Sequence, residues 1–265
     1  MIVADCLCFS ILRPKNMYDI VYPLKEQTIN LDLKYALRSL EKFGAEVGKV
    51  VIVGYKPAWI TNVIHIPTEQ HFSKWQNTRA NWKKVCQCDE LSEDIILMND
   101  DFIFSEPVKR WEDVTNLHMG TLMDRYNGFL EEKKGISAWR EGHRFTHELL
   151  QTMGVDTPLN YEYHGPMIMN RRRRIDLLER EDIRPLALKD SPLLLIRSLY
   201  GNLYPRNNPK QIRDIKFLAD SFVMSMITEH GFFSVDDGII GNDARCPRLN
   251  NWLRENFPDK SKYEL

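Results

Sequence analysis

Two adjacent carboxylates, Asp100 and Asp101, interrupt an apolar stretch that reads DIILMNDDFIF from Asp94 to Phe104. Ile95, Ile96, Leu97 and Met98 form a continuous run with β-branched members, which suits a strand buried on both faces. A charge at the end of such a strand must be paired or put to use, because burying it unpaired is expensive. Ligands of open α/β sheets bind in the crevice at the carboxyl ends of the strands, where this pair would hold a divalent cation carrying a phosphorylated ligand. Hard oxygen donors suit Mg²⁺ or Mn²⁺, which take one or two carboxylates and complete their shell with phosphate oxygens and water. The competing interpretation is an acidic turn, with Asn99 and Asp100 chosen for turn propensity.

Four further features could carry chemistry. His164 lies in YEYHGPM, where Gly165 and Pro166 force a turn and leave the imidazole at the end of an element; a satisfied, half-buried histidine would look the same. Arg197 interrupts the apolar LLLIRSLYGNLY, so it either snorkels to the surface or aims at a phosphate or carboxylate. Asp236 and Asp237 follow an apolar strand much as Asp100 and Asp101 do, so either could face the same crevice, although Asp237-Gly238 is also a turn signal. Arg171, Arg172, Arg173 and Arg174 form a dense basic run, either a solvated helix face or a site for polyanions.

The elements that must position these residues follow from periodicity. The opening MIVADCLCFSI reads as a strand broken at Arg13-Pro14. Asp19 to Lys25 is short and β-rich, with Pro23 ending it. From Asn30, a fitting cap, Leu33, Leu37 and Leu40 recur at helical spacing with Ala36 on their stripe, and Gly44 stops the helix. Lys49 to Tyr55 is a second buried strand and Val63 to Ile66 a third; Asn77 to Cys88 is a helix leading into the Ile95 strand. This alternation predicts parallel strands with right-handed crossovers, the order of a nucleotide-binding sheet.

The second half is less regular. Trp111 to Met123 reads as a loop or edge segment, and Asn127 to Trp139 as a polar excursion. Phe145 to Met153 reads as a short helix ended by Gly154. A helix capped by Asn170, a helix over Leu193 to Tyr204, a strand-to-turn transition over Gly231 to Gly238 and a short helix around Leu249 to Phe257 complete the chain. The charged tail DKSKYEL is expected to be mobile.

Composition sets the bounds. With 265 residues and 43% apolar content the chain can bury a useful core, and a single α/β domain with an elaborated second half is expected. The net charge of −1 supplies no global field toward nucleic acid or membrane. No apolar run approaches bilayer length and the start lacks a basic leader and cleavage site, so a cytoplasmic protein without a membrane span is expected. Five cysteines, an odd number, argue against a disulfide framework, and the two C-x-C pairs (Cys6 and Cys8, Cys86 and Cys88) fit buried thiols better than zinc ligands.

The succession VYPLK, NLDLKYALRSLEKF, KVVIVGYKPAWI, QNTRANWKKVC and ILMNDDFIF resembles the nucleotide-sugar-binding half of GT-A glycosyltransferases. More closely, it resembles the group shared by phage-encoded glycosyltransferases and the Stealth-type sugar-phosphate transferases of capsule synthesis. That group pairs such a helix with a strand ending in NDD, then an H-x-P segment, an arginine and a closing strand with an acidic residue. Here these are His164-Gly165-Pro166, Arg197 and Asp236, and the resemblance spans roughly residues 18 to 245. It implies a Rossmann-like, mixed but mostly parallel sheet flanked by helices. Residues 1–110 would form the nucleotide-sugar-binding half, 111–245 the acceptor-binding and catalytic half, and 246–265 a terminal helix and tail.

The resemblance also implies roles. The donor would be a nucleoside diphosphate sugar, most simply a UDP-sugar, with base and ribose near Val21, Tyr22 and Lys25, and Asn77 and Arg79 reaching it from the next helix. Mn²⁺ or Mg²⁺ would sit on Asp101, helped by Asp100. Arg197 would contact the phosphates, His164 would act as metal ligand or base, and Asp236 or Asp237 as base or sugar-orienting group. The acceptor hydroxyl could belong to a modified DNA base, met by Arg171 to Arg174 with Lys83 and Lys84, or to a virion protein; a phage-encoded enzyme would act in the host cytoplasm. Two alternatives keep the same crevice: a sugar-1-phosphate transferase releasing UMP, which the absence of long spacers and accessory modules disfavours, and a non-catalytic nucleotide-sugar-binding module.

Overall fold

In a computed structural model the described residues are 17–69, 74–132, 135, 137–187, 194–218, 224–227 and 229–265. The strand expected over the first eleven residues, with Cys6 and Cys8, lies outside them. The first half contains β1 (Asp19–Leu24), α1 (Leu31–Phe43), β2 (Val50–Gly54), β3 (Ile64–Ile66), α2 (Lys74–Cys86), β4 (Asp94–Leu97) and β5 (Phe102–Phe104). Then come α3 (Trp111–Thr115), β6 (Leu117–His118), α4 (Leu122–Glu131), α5 (Ala138–Thr152), β7 (Met167–Asn170) and α6 (Arg171–Glu179). The chain continues through α7 (Arg184–Ala187), α8 (Ile196–Leu203), β8 (Lys210–Gln211), β9 (Lys216–Phe217), α9 (Met224–Ile227), β10 (Phe232–Val235) and α10 (Pro247–Asn256).

The molecule is mixed α/β. Its main sheet has five strands in the order β3-β2-β1-β4-β7, parallel except for β7, which runs against β4. Alternate residues of each central strand face opposite layers. Ile20, Tyr22, Ile52 and Ile96 pack with Leu33, Ala36 and Leu37 of α1, whereas Val21, Val51, Ile95 and Leu97 pack with Trp82 and Val85 of α2 and Leu177 of α6. Two-sided burial explains why these strands read as unbroken apolar runs.

Pro23 does not end β1 as expected; the strand continues through it. The Ile20 N–H donates toward β2, to the Lys49 carbonyl, so by alternation the N–H that Pro23 lacks would point toward β4. On that side the ladder with β4 ends at Val21, whose carbonyl accepts from the Met98 N–H; Pro23 has no N–H to return, so it ends the pairing with β4 while the pairing with β2 runs on to Leu24. At the end of β2, Gly54 has φ +98°, and a Cβ there would lie 2.2 Å from the Leu24 carbonyl oxygen, so the two strand ends meet closely only because the residue is glycine.

The apolar residues after the Asp pair do not continue the main sheet. β5 leaves it and pairs antiparallel with β10, in a second sheet of order β5-β10-β9. Phe102 and Phe104 face α1, while Ile103 faces a further core with Phe217, Phe233, Leu249 and Trp252. The Asn99-Asp100-Asp101 turn is thus the hinge between two sheets, which is why its carboxylates stand at the junction.

Four further expectations are corrected. Trp111 to Met123 contains α3, β6 and the start of α4, and α4 runs through Asn127 to Glu131 into the segment expected to be a polar excursion. The helix expected from Phe145 begins at Ala138, capped by the Ser137 hydroxyl, and its buried face is Gly142, His143, Thr146 and Leu150, which hides it from a search for aliphatic periodicity. The tail is docked: Arg38 grips Glu264 through Nε (2.7 Å) and Nη2 (2.8 Å), Tyr263 and Ser261 are buried, and Leu265 donates its N–H to the Trp59 carbonyl.

Candidate functional site

Asp100 Oδ2 accepts a 2.6 Å hydrogen bond from Asn30 Nδ2, while Asn30 Oδ1 caps α1 by accepting from the Leu33 N–H. One side chain therefore starts the helix and orients the carboxylate. Asp101 Oδ2 accepts from the Ser234 hydroxyl at 2.6 Å, across the antiparallel ladder of β5 and β10. Both partners are neutral, and among the described residues neither Asp100 nor Asp101 has an ion-pair partner.

A third carboxylate, Asp32 in the first turn of α1, completes an acidic cluster. Burial, reinforced by the charges of Asp100, Asp101 and Asp237, pushes its carboxyl up to about 7. Burial likewise holds Asp100 above the ordinary range, against the pull of the Asn30 bond. Asp101 is raised by burial too, and the Ser234 hydroxyl, His164 and Lys216 offset only part of it. Negative charge crowded in this way is what a divalent cation neutralises, and the all-oxygen donor set suits Mg²⁺ or Mn²⁺. Among the described residues no three His, Cys, Asp or Glu side chains converge on a ready-made metal site. Asp100 and Asp101 would therefore be the protein's share, with water or ligand oxygens completing the shell.

His164 stands beside this cluster. Its Nδ1 lies 2.6 Å from Asp214 Oδ2, and its backbone N–H donates to Asp214 Oδ1 at 2.8 Å. Burial would raise the Asp214 carboxyl, but the bonds from His164 outweigh it and the carboxyl is held low. The turn is packed tightly, since a Cβ on Gly165 would lie 2.3 Å from the Phe232 ring. Arg197 braces the same segment, donating from Nε to the Tyr161 carbonyl (3.1 Å) and from Nη2 to the Gly165 carbonyl (2.7 Å).

A cavity of about 920 Å³ opens beside Asp100, within the range of small-molecule sites. Lys25, Asn77, Arg79, Asp237 and Arg197 line it as well. Val21 and Tyr22 do not: both side chains are fully buried in the core, and the lining on β1 begins at Pro23. Asp236 and Asp237 part company, Asp236 lying 3.3 Å from Lys216 and Asp237 3.6 Å from Lys25 on the cavity wall.

The basic run is not one face. Arg171 and Arg174 are buried, while Arg172 and Arg173 are exposed. Arg171 bonds the carbonyls of Ser92, Val85, Cys86 and Leu91, tying α6 to the end of α2 and the start of β4. The expected four-arginine patch for a polyanion is thereby halved.

Sequence reasoning missed Asp32, Asp214, Ser234 and the buried state of Arg174. Asp32 carried a weak signal: an acidic residue two positions after a cap is ordinary helix-dipole chemistry. Its proximity to Asp100 appears only in three dimensions.

No helix among the described residues is long and apolar enough to cross a membrane. No protein-family model matches the sequence, and no curated protein matches it. Among solved structures, the apo form of the glycosyltransferase GlyE of Streptococcus pneumoniae TIGR4 is similar with a TM-score of 0.35 and 10% identity, the match covering 75% of this chain and 45% of that one.

Proposed function

We propose that this chain is a divalent-cation-dependent glycosyltransferase of the GT-A type, which takes a sugar from a nucleoside diphosphate sugar, most simply a UDP-sugar, and passes it to a hydroxyl. The observation that carries the reading is the placement of Asp100 and Asp101. They stand beyond the carboxyl end of a central parallel strand, at the junction of two sheets; Asp100 lines a cavity large enough for such a donor, and Asp101, which like His164 is not on the cavity wall, feels the charge of that histidine, itself held by Asp214.

In this reading Mn²⁺ or Mg²⁺ held by Asp100 and Asp101 would neutralise the charge that builds on the departing diphosphate. Lys25, Asn77 and Arg79 bind the donor from the cavity wall, while Val21 and Tyr22 act only by fixing the strand that presents Pro23 to Lys25. Arg197 holds the His164 loop and, as part of the cavity wall, would contact the phosphates. With Nδ1 committed to Asp214, His164 presents Nε2 as the base that takes the acceptor hydroxyl's proton. Asp237 orients the sugar, and Asp236 stays outside the reaction. A DNA acceptor would meet only Arg172 and Arg173 of the basic run, so the acceptor class is better sought by activity than by charge.

The test is ³¹P NMR of the protein with Mn²⁺-loaded and Mg²⁺-loaded UDP-sugars, followed with and without simple hydroxyl acceptors. Release of UDP is the expected result. Release of UMP would overturn it in favour of sugar-1-phosphate transfer, and a donor that binds yet stays intact under every condition would leave a nucleotide-sugar-binding module.

A further inference from the structure

Arg171 and Arg174 lie one turn apart on α6, and both are buried, at 6% and 4% exposure. Their guanidinium groups are treated in opposite ways. Arg171 spends its donors on four backbone carbonyls. Arg174 has its Nη1 on the thioether sulfur of Met169 at 2.9 Å, a weak acceptor, and its Nε is buried without any partner.

No salt bridge offsets the charge. Among the described residues Arg174 has no ion-pair partner, and one face of its guanidinium lies over the Trp82 ring, 4.0 Å from the centroid. Glu162 also lines the cavity and its charge favours the protonated guanidinium, but no ion pair joins the two, and Glu162 Oε1 accepts from the Ser198 N–H and hydroxyl. The Cys86 thiol, on the same wall, is pushed up by burial and stays neutral. Burial in turn lowers Arg174 to about 10, which leaves it protonated at neutral pH. A buried cation with open donors is strongly unfavourable unless something supplies the missing acceptors.

Arg174 lines the cavity that Asp100 also lines. Its level differs. α2 follows a parallel strand and so runs back down the sheet, which puts Asn77 near the strand ends and Trp82 more than a turn deeper. Asp100 and Asp237 therefore stand on the cavity wall near the strand ends, and Arg174, against Trp82, lies deeper along the sheet.

We propose that Arg174 is an anion-binding residue, and that the deep end of the cavity takes an oxyanion, a phosphate or a carboxylate, carried by the ligand. The planar fork of a guanidinium matches either group bidentately, and the Trp82 ring fixes the plane in which the two N–H donors point. Trp82 is accordingly a positioning residue for this subsite. The inference stands on the cavity and on the unpaired side chain alone, and holds whether or not the chain transfers sugar.

The experiment is run free of divalent cations, on protein passed over a chelating resin, so that no metal ion on the aspartates contributes to binding. The Nε–H resonance of Arg174, assigned by its loss in Arg174→Lys, is followed in a ¹H–¹⁵N spectrum as inorganic pyrophosphate or glucuronate is added. A saturable shift with either probe is expected, and the probe that gives the larger shift says whether phosphate or carboxylate is the group taken. Binding of that probe, read by isothermal titration calorimetry, should weaken at least tenfold in Arg174→Met, while Arg172→Met on the exposed face leaves it unchanged. If Arg174→Met does not fold, the wild-type titration decides alone. No shift with either probe, or equal weakening by Arg172→Met, would overturn the proposal. Turnover is not read, so this outcome is separable from failure of the glycosyltransferase reading.

Discussion

Asp214 holds His164 at two points, one oxygen on the ring nitrogen Nδ1 at 2.6 Å and the other on the backbone N–H at 2.8 Å. The grip fixes the tautomer and the plane of the imidazole together, since a ring whose Nδ1–H is bonded to a carboxylate presents Nε2 as its acceptor. Asp214→Asn keeps the backbone bond and the shape but no longer enforces that tautomer. Turnover should fall by about 10- to 100-fold, the range for residues that orient a working histidine, with little change in donor affinity. A kinetic split in which KM rises and kcat stays fixed would remove the orienting role.

The two late aspartates give a sharper contrast. Asp237 lines the cavity and lies 3.6 Å from Lys25, whereas Asp236 lies 3.3 Å from Lys216, which is not part of the cavity wall. Asp237→Asn should therefore weaken donor binding or turnover by about tenfold, roughly the loss of one charge-assisted contact. Asp236→Asn should leave both within about twofold. Parallel titrations with a UDP-sugar check this, and equal effects would return the two residues to the same footing.

Much of the first half is legible in the sequence alone. Apolar runs mark β1, β2 and β4, a leucine stripe with an asparagine cap marks α1, and the importance of the Asp pair follows from its place after a buried strand. What is not legible shares one cause: the partner is far away in sequence. FIF at β5 carries no sign that it will pair with β10, and Asp214 meets His164 across 50 positions. The tail reads as mobile because it is charged, yet its anchor Arg38 stands 226 positions earlier. α5 reads too short for a different reason, a buried face built from histidine, threonine and glycine. The arginine run misleads because arginine is usually solvated, while here two of the four turn inward.

Arg171 is a stability element. It ties the start of α6 to four carbonyls that close α2 and lead into β4, and removing it leaves those acceptors buried without a donor. Arg171→Met should cost about 3 kcal/mol in chemical denaturation, from several charge-assisted bonds lost at once. Arg171→Lys should recover only part of that, because an ammonium cannot span acceptors arranged around a planar fork. Recovery to wild-type stability by lysine would show that charge alone is what the position needs.

The docked tail makes a pH prediction. Burial would raise the Glu264 carboxyl, but the Arg38 bonds and the Ser261 N–H outweigh it, so the folded pKa lies below the ordinary 4.5. A carboxyl depressed in the folded state contributes stability that is fully present above its unfolded pKa and is lost as pH falls through its folded pKa. Stability should therefore drop as pH falls below about 4.5, and Glu264→Gln should be less stable than wild type at about pH 7 while converging with it at acid pH. Denaturation curves at a series of pH values measure this. A constant gap between the two proteins would assign the effect to packing instead.

Asp32 should show the opposite sign. Its carboxyl is raised from an ordinary 3.8 to about 7 by burial and by Asp100, Asp101 and Asp237, so between those limits the folded protein binds a proton that the unfolded chain has released. Stability then declines as pH rises through that window, and above it the full penalty is felt. Asp32→Asn removes the charge and should be more stable than wild type at about pH 8, by roughly 1–3 kcal/mol, with the difference fading toward about pH 4. Millimolar Mg²⁺ discriminates what the cluster is for. A cation on Asp100 and Asp101 would relieve the repulsion that Asp32 feels, so adding it at about pH 8 should stabilise wild type more than the variant and narrow the gap. A gap untouched by Mg²⁺ and Mn²⁺ alike would mean that the acidic cluster is a site of strain without a cation to relieve it, and the proposed metal role of Asp100 and Asp101 would fall with it.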